Sequence, residues 1–148
     1  MNNRKVTVPI MLGDNATEPT YAHEGDAGLD VYLSEPVEIA AGETVVARTG
    51  VRVGLPVGTF GALFCRSGLS RHGIVLATGV SVIDSGYRGE LLVPVRNATD
   101  HTVVLDRGSR VAQLVVIPYA TARLVRVDGL EETDRGEGGF GSTGVARG

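Results

Sequence analysis

The chain has 148 residues, 43% hydrophobic and 21% charged, a make-up that suits one domain with a sizeable core and excludes an intrinsically disordered protein. A formal net charge of −3 argues against a broad basic surface for nucleic acid, so any anionic ligand has to be held locally. One cysteine, Cys65, rules out an intrachain disulfide; with no apolar signal core after Met1 and no stretch long enough to span a bilayer, the expectation is a cytoplasmic protein without a membrane partner.

In chain order, Val6, Val8, Ile10 and Leu12 alternate with other residues, the period of a strand. Asp26-Ala27-Gly28-Leu29-Asp30-Val31-Tyr32-Leu33 reads as a glycine-containing strand start with two carboxylates, of which Asp30, next to Val31, is the more constrained. β-rich runs follow at 44–46 and 51–53, then the apolar run 60–65, where Cys65 reads as a small core residue. The spacing allows one short helix over 67–72, capped by Ser67, with Leu69 inward and Gly68 and Gly73 limiting its length. Residues 82–90 read as strand, tight turn, strand, and further runs lie at 91–95, 102–105, 111–117 and 124–127. Turn formers such as Leu55-Pro56-Val57-Gly58 and Asp106-Arg107-Gly108 separate them at the interval of a sandwich or barrel. The expected fold is all-β, with short antiparallel strands and at most one short helix. Composition shifts once, near Asp134, which divides a compact domain, 1–133, from a glycine-rich C-terminal arm, 134–148.

Four clusters and the arm carry groups suited to chemistry. Arg66-Ser67-Gly68-Leu69-Ser70 puts a guanidinium, a hydroxyl and a flexible backbone donor where a strand meets a turn, which suits phosphate oxygens as well as an ordinary structural turn. Asp84 and Tyr87 flank the turn of Ile83-Asp84-Ser85-Gly86-Tyr87-Arg88-Gly89; alone they read equally as a turn cap and a cross-strand packer. Gln113, inside an otherwise apolar strand, needs a partner, because an unpaired buried amide costs roughly 1–3 kcal/mol; backbone, ligand and metal-bound water all qualify. In the arm, glycines allow backbone N–H groups to crowd an anion, while Arg135, Ser142 and Thr143 add donors and Phe140 one flat apolar face. His23, His72 and His101 have no ligand-like spacing and a zinc site is not expected; hard oxygen ligands, and so Mg²⁺ on Asp30 with a triphosphate, remain. There is no phosphate-binding Gly-x-x-x-x-Gly-Lys and no recognisable Ser-His-Asp arrangement.

In order, Ala27-Gly28-Leu29-Asp30, Arg66 to Ser70, Ile83 to Gly89, Gly108-Ser109-Arg110-Val111-Ala112-Gln113-Leu114 and the glycine arm resemble the five motifs of the trimeric deoxyuridine triphosphate nucleotidohydrolases. The resemblance covers the chain from about Ala27 to Gly144. It implies a β jelly roll, a homotrimer with sites shared between subunits, and Mg²⁺-dependent cleavage of dUTP to dUMP and pyrophosphate. Under it, Asp84 activates the attacking water, with Arg66 and Gln113 at the phosphates as the other catalytic groups, and Tyr87 presses on the deoxyribose. Ser67 and Gly68 hold phosphate oxygens, Asp30 anchors the metal through water, and Thr78 and Ile83 lie on the segment that reads the base. Arg135, Gly141, Ser142 and Thr143 meet the triphosphate from a neighbouring subunit, and Phe140 stacks on uracil. Three positions depart from the common family pattern: Cys65 stands for Pro, Thr78 for Asn and Ser81 for Gly. The latter two leave base preference open toward dCTP, since a hydroxyl satisfies fewer partners than an amide. The competing readings are dCTP hydrolysis or deamination, and a nucleotide-gated signalling module without catalysis.

Overall fold

The computed structural model describes residues 5–139. Eleven strands and one helical turn make it up: β1 Ile10–Leu12, β2 Leu29–Tyr32, β3 Val37–Ile39, β4 Thr44–Arg48, β5 Val51–Val53, β6 Thr59–Phe64, α1 Ser67–Ser70, β7 Ile74–Leu76, β8 Val80–Ile83, β9 Leu92–Asn97, β10 Val103–Leu105 and β11 Arg110–Pro118. All pairings between these strands are antiparallel. A four-stranded sheet runs β2-β11-β6-β8 and a three-stranded one β4-β9-β7, joined by the ribbons β1-β5 and β10-β3. The all-β body is what the period of two predicted, and its arrangement is the jelly roll that the resemblance implied.

One hydrophobic cluster serves the whole body. Val31, Leu63, Val111 and Leu114 come to it from the larger sheet, Ala47, Ile74, Val93 and Val95 from the smaller. In β9, Val93, Val95 and Asn97 turn inward while Leu92 and Arg96 face out, the alternation a one-sided strand requires. Asn97 is buried because all its capacity is used: Nδ2 donates to Ile39 O at 2.9 Å and His101 O at 2.7 Å, and Oδ1 accepts from Thr99 N and Oγ1. Among the described residues no buried side-chain polar atom lacks a partner.

Three expectations need correction. Residues 124–127 form no strand: the last strand ends at Pro118, and Leu124 is 93% exposed. Alternation predicts a strand only where a partner edge is available. The helix is a single turn whose N-cap position is taken by extended Arg66, not Ser67, and no side chain caps it. Residues 82–90 are not a hairpin, because β8 pairs with β6 whereas β9 pairs with β4 and β7. The segment after Ile83 crosses from one sheet to the other. Cys65 is half-buried against the core, its thiol 3.6 Å from the carbonyls of Arg66 and Ile74. No helix among the described residues is long and apolar enough to cross a membrane.

Candidate active site

Asp30 sits between Leu29 and Val31 on β2, with its side chain only 8% exposed. A carboxylate so placed requires cationic or hydrogen-bonding partners. Arg66, just past the end of β6, donates from Nε to Oδ1 at 2.8 Å, and Arg110 Nε, at the start of β11, stands 3.5 Å from Oδ2. The β2-β11 register slips between Arg110 and Ala112, and such bulges re-aim the side chains beside them. One buried negative charge is thus shared by two guanidiniums, Arg66 partly buried and Arg110 half-exposed, and Asp26 adds a second carboxylate to the wall of the cleft beside them.

Gln113 lies directly opposite Asp30 on one side and Phe64 on the other. Its Nε2 makes a long bond of 3.4 Å to Cys65 O, so the backbone supplies the partner its position demanded. A Cβ at Gly28 would come within 2.6 Å of Gln113 Oε1, so glycine there leaves the amide in its place and a larger residue would push it aside. Gly28, Asp30, Arg66, Ser67 and Gln113 together line a cleft of ≈ 300 Å³. In the adjoining turn the first amide used is Leu69 N, to Arg66 O at 3.1 Å, so the turn itself consumes neither the Ser67 nor the Gly68 N–H. Ser67 and Gly68 are exposed. The cluster offers cations, a hydroxyl and amide donors to an anion.

The other expected residues lie elsewhere. Thr78 Oγ1 and Ser81 Oγ are 2.8 Å apart at the start of β8, and Ile83 ends that strand nearly buried. Asp84 is exposed, and its carbonyl accepts the Tyr87 N–H at 3.0 Å; the Tyr87 hydroxyl donates to Glu90 O at 2.9 Å. Since Gly61 pairs with Ile83 and Phe64 with Val80, Asp84 falls beside Phe60, six residues before Arg66, a separation of about 20 Å along the strands. Arg135 is exposed and bonds within its own turn, Nε to Gly138 O at 3.0 Å. Phe140, Gly141, Ser142 and Thr143 lie outside the described residues.

Sequence reasoning missed Arg110 as a partner of Asp30 and Gly28 as the seat of Gln113. It also missed Glu90, whose carboxylate accepts from Arg48, Thr49 N and Gly50 N. The hydrogen bond from Arg48 holds Glu90 below its ordinary carboxylate value, against the opposing effect of burial. Among the described residues no three His, Cys, Asp or Glu side chains gather to hold a metal. With both Asp30 oxygens facing guanidiniums, the site suits Mg²⁺ carried on phosphates and touched through water, not an ion caged by protein.

The dUTPase family model matches residues 14–144. Deoxyuridine 5'-triphosphate nucleotidohydrolase of Cutibacterium acnes is 46% identical over 143 residues, covering 95% of this chain and 93% of that protein. The dUTPase of Staphylococcus bacteriophage 80alpha with dUpNHpp superposes with a TM-score of 0.88 at 32% identity, covering 95% of this chain and all of that one. A mutant dUTPase from phage phi11 of S. aureus, described with a structural Mg(II) ion, gives 0.79 at 28% identity, covering 86% of this chain and all of that one. The chain, matched in sequence and in fold over nearly its whole length, belongs to the dUTPase family.

Proposed function

We propose that this chain hydrolyses dUTP to dUMP and pyrophosphate by water attack on the α-phosphorus, in a site assembled from more than one copy of itself. Family membership supports the reaction. The shared site rests on one observation: the cleft at Arg66 and the acid at Asp84 stand about 20 Å apart along the sheet, too far to act on one phosphorus. A second copy presenting its Asp84 end to the cleft removes that gap. A homotrimer meets this requirement, and the exposed apolar residues Leu124, Val125, Val127 and Leu130 give the assembly a segment to bury.

Roles follow from the chemistry available. Hydrolysis at a phosphorus crowded by anionic oxygens needs alignment and charge neutralisation more than covalent help. Arg66 neutralises phosphate charge, held in place by Asp30; Ser67 and Gly68 supply hydrogen bonds, and Gln113 orients the α-phosphate. From the neighbouring copy, exposed Asp84 accepts the proton of the attacking water. Ile83 and Thr78 adjoin the base, and Tyr87 lies against the sugar. Asp30 and Gln113 would reach the water shell of a Mg²⁺ ion brought in with the triphosphate, which would supply further charge neutralisation. The domain 1–133 carries these groups, and the arm 134–148 closes over the triphosphate with Arg135, Phe140, Gly141, Ser142 and Thr143. Ordering about nine arm residues costs on the order of 10 kcal/mol, and each charge-assisted hydrogen bond returns roughly 1.5–3, so closure needs several contacts together. The arm therefore closes on triphosphate and releases monophosphate.

The test is pyrophosphate release from dUTP, dCTP, dTTP and UTP, with and without Mg²⁺, by the wild type and Asp84→Asn. We expect turnover of dUTP, lost without Mg²⁺ and lowered in the variant by about 10²–10⁴-fold. Ammonia release from dCTP would move the reading to deamination, and undiminished hydrolysis in Asp84→Asn would reject the base.

A further inference from the structure

Glu90 has no place in the mechanism above, yet its carboxylate ties together two distant parts of the chain. Oε1 accepts the Thr49 N–H at 3.1 Å and the Gly50 N–H at 2.8 Å; Oε2 accepts Arg48 Nη2 at 2.9 Å and Nε at 3.3 Å. The Glu90 side chain is 13% exposed against 57% for Arg48, so the acid is the enclosed member of the pair. Next to it, Thr49 Oγ1 donates to Leu91 O at 2.7 Å and Leu91 N to Val51 O at 2.7 Å, which fixes the same backbone a second time.

That backbone carries Tyr87. Its hydroxyl donates to the Glu90 carbonyl at 2.9 Å, and its ring lies over Gly89, where an added Cβ would collide with the ring and the hydroxyl. Tyr87 is 41% exposed, so little packing holds it; left alone, an exposed tyrosine samples several χ1 rotamers. Its phenol proton is also already spent within the chain. What it offers a ligand is the shape of the ring, and rejection by shape is only as sharp as the ring is fixed.

We propose that Glu90 is a positioning residue for sugar discrimination: by locking residues 89–91 to the turn at Arg48, Thr49 and Gly50, it holds Tyr87 in the one orientation that excludes a ribose 2′-hydroxyl. This rests on the reading that puts Tyr87 against the deoxyribose. The experiment compares kcat/KM for dUTP and for UTP in the wild type, Tyr87→Ala, Glu90→Ala, Glu90→Gln and Gly89→Ala, with thermal unfolding recorded for each. Glu90→Ala should lower the dUTP-to-UTP ratio by about tenfold or more. Glu90→Gln keeps an acceptor for the Thr49 and Gly50 amides and should rescue most of that loss. Gly89→Ala displaces the ring without touching the carboxylate and should lower the ratio as Glu90→Ala does. A purely structural Glu90 would shift the unfolding temperature and leave the ratio alone. A wild-type ratio in folded Glu90→Ala, or in Gly89→Ala where Glu90→Ala fails to fold, overturns the proposal provided Tyr87→Ala has lost discrimination. An unchanged ratio in Tyr87→Ala overturns instead the sugar-side reading on which it stands.

Discussion

The two ends of the larger sheet are built on opposite plans. At the Arg66 end, charges are enclosed and matched: Asp30 is buried under two guanidiniums, and Gln113 is pinned between Cys65 O and Gly28. At the Asp84 end, Asp84 and Tyr87 stand in the open, and order comes from backbone hydrogen bonds and from Glu90 anchored 41 residues away at Thr49. The first end gets its geometry from burial, the second from tethering. Under the proposed function the contrast has a reason: a surface that receives a polyanion gains from cations fixed before binding, whereas one that must meet a neighbour and a substrate has to stay accessible.

The largest effect that would break this contrast concerns sharing. Asp84→Asn and Arg66→Ala should each lower kcat by about 10²–10⁴-fold, yet subunits of the two inactive variants, dissociated and reassembled together, should recover pyrophosphate release. No recovery would place both halves in one chain's own site. Next in size, Asp30→Ala removes the charge-assisted hydrogen bond to Arg66, leaving two solvent-accessible guanidiniums, and should cost about 1.5–3 kcal/mol in urea unfolding, while Asp84→Ala at its exposed position should stay within about 0.5. Equal costs would erase the distinction between a buried and an open end. Removal of residues 134–148 should raise KM for dUTP by about 10–10²-fold, leaving the affinity for dUMP and the unfolding midpoint of the body unchanged.

The smallest effect is one of pH. Glu90 is held below its ordinary value of 4.5, so the folded state binds its proton less readily than the unfolded chain does. Its contribution is complete above that value and is lost as pH falls through the lower folded one. Unfolding measured below pH 4.5 should therefore show a shallower acid slope in Glu90→Gln than in the wild type.

Much of this architecture was legible because it is local. Alternation revealed most of β9, where Val93 and Val95 face in, although Asn97, read as a turn former, ends that strand buried; contiguous runs such as Arg66 to Ser70 exposed their chemistry without any fold. What alternation lacks is the partner. Residues 124–127 carry the period of a strand and have no edge to pair with, and the turn at Asp84 bends the chain without saying that β9 belongs to the other sheet. Arg110 and Asp30 meet only through the β2-β11 register, and Glu90 and Gly50 only where the β4-β9 register ends. Neither pairing has a signature in spacing, because both depend on which strands become neighbours.

Placing complementary groups at opposite ends of one sheet gives the chain a polarity. Copies that join head to tail make heterologous contacts, which run on into a filament unless the rotation between neighbours closes a ring. In a closed ring every copy lends its cationic end to one site and its acidic end to another. A copy defective at one end would then spoil one centre and leave the other intact, whereas a copy defective at both ends would damage two centres at once, and mixed populations holding it would lose activity faster than their fraction of defective chains.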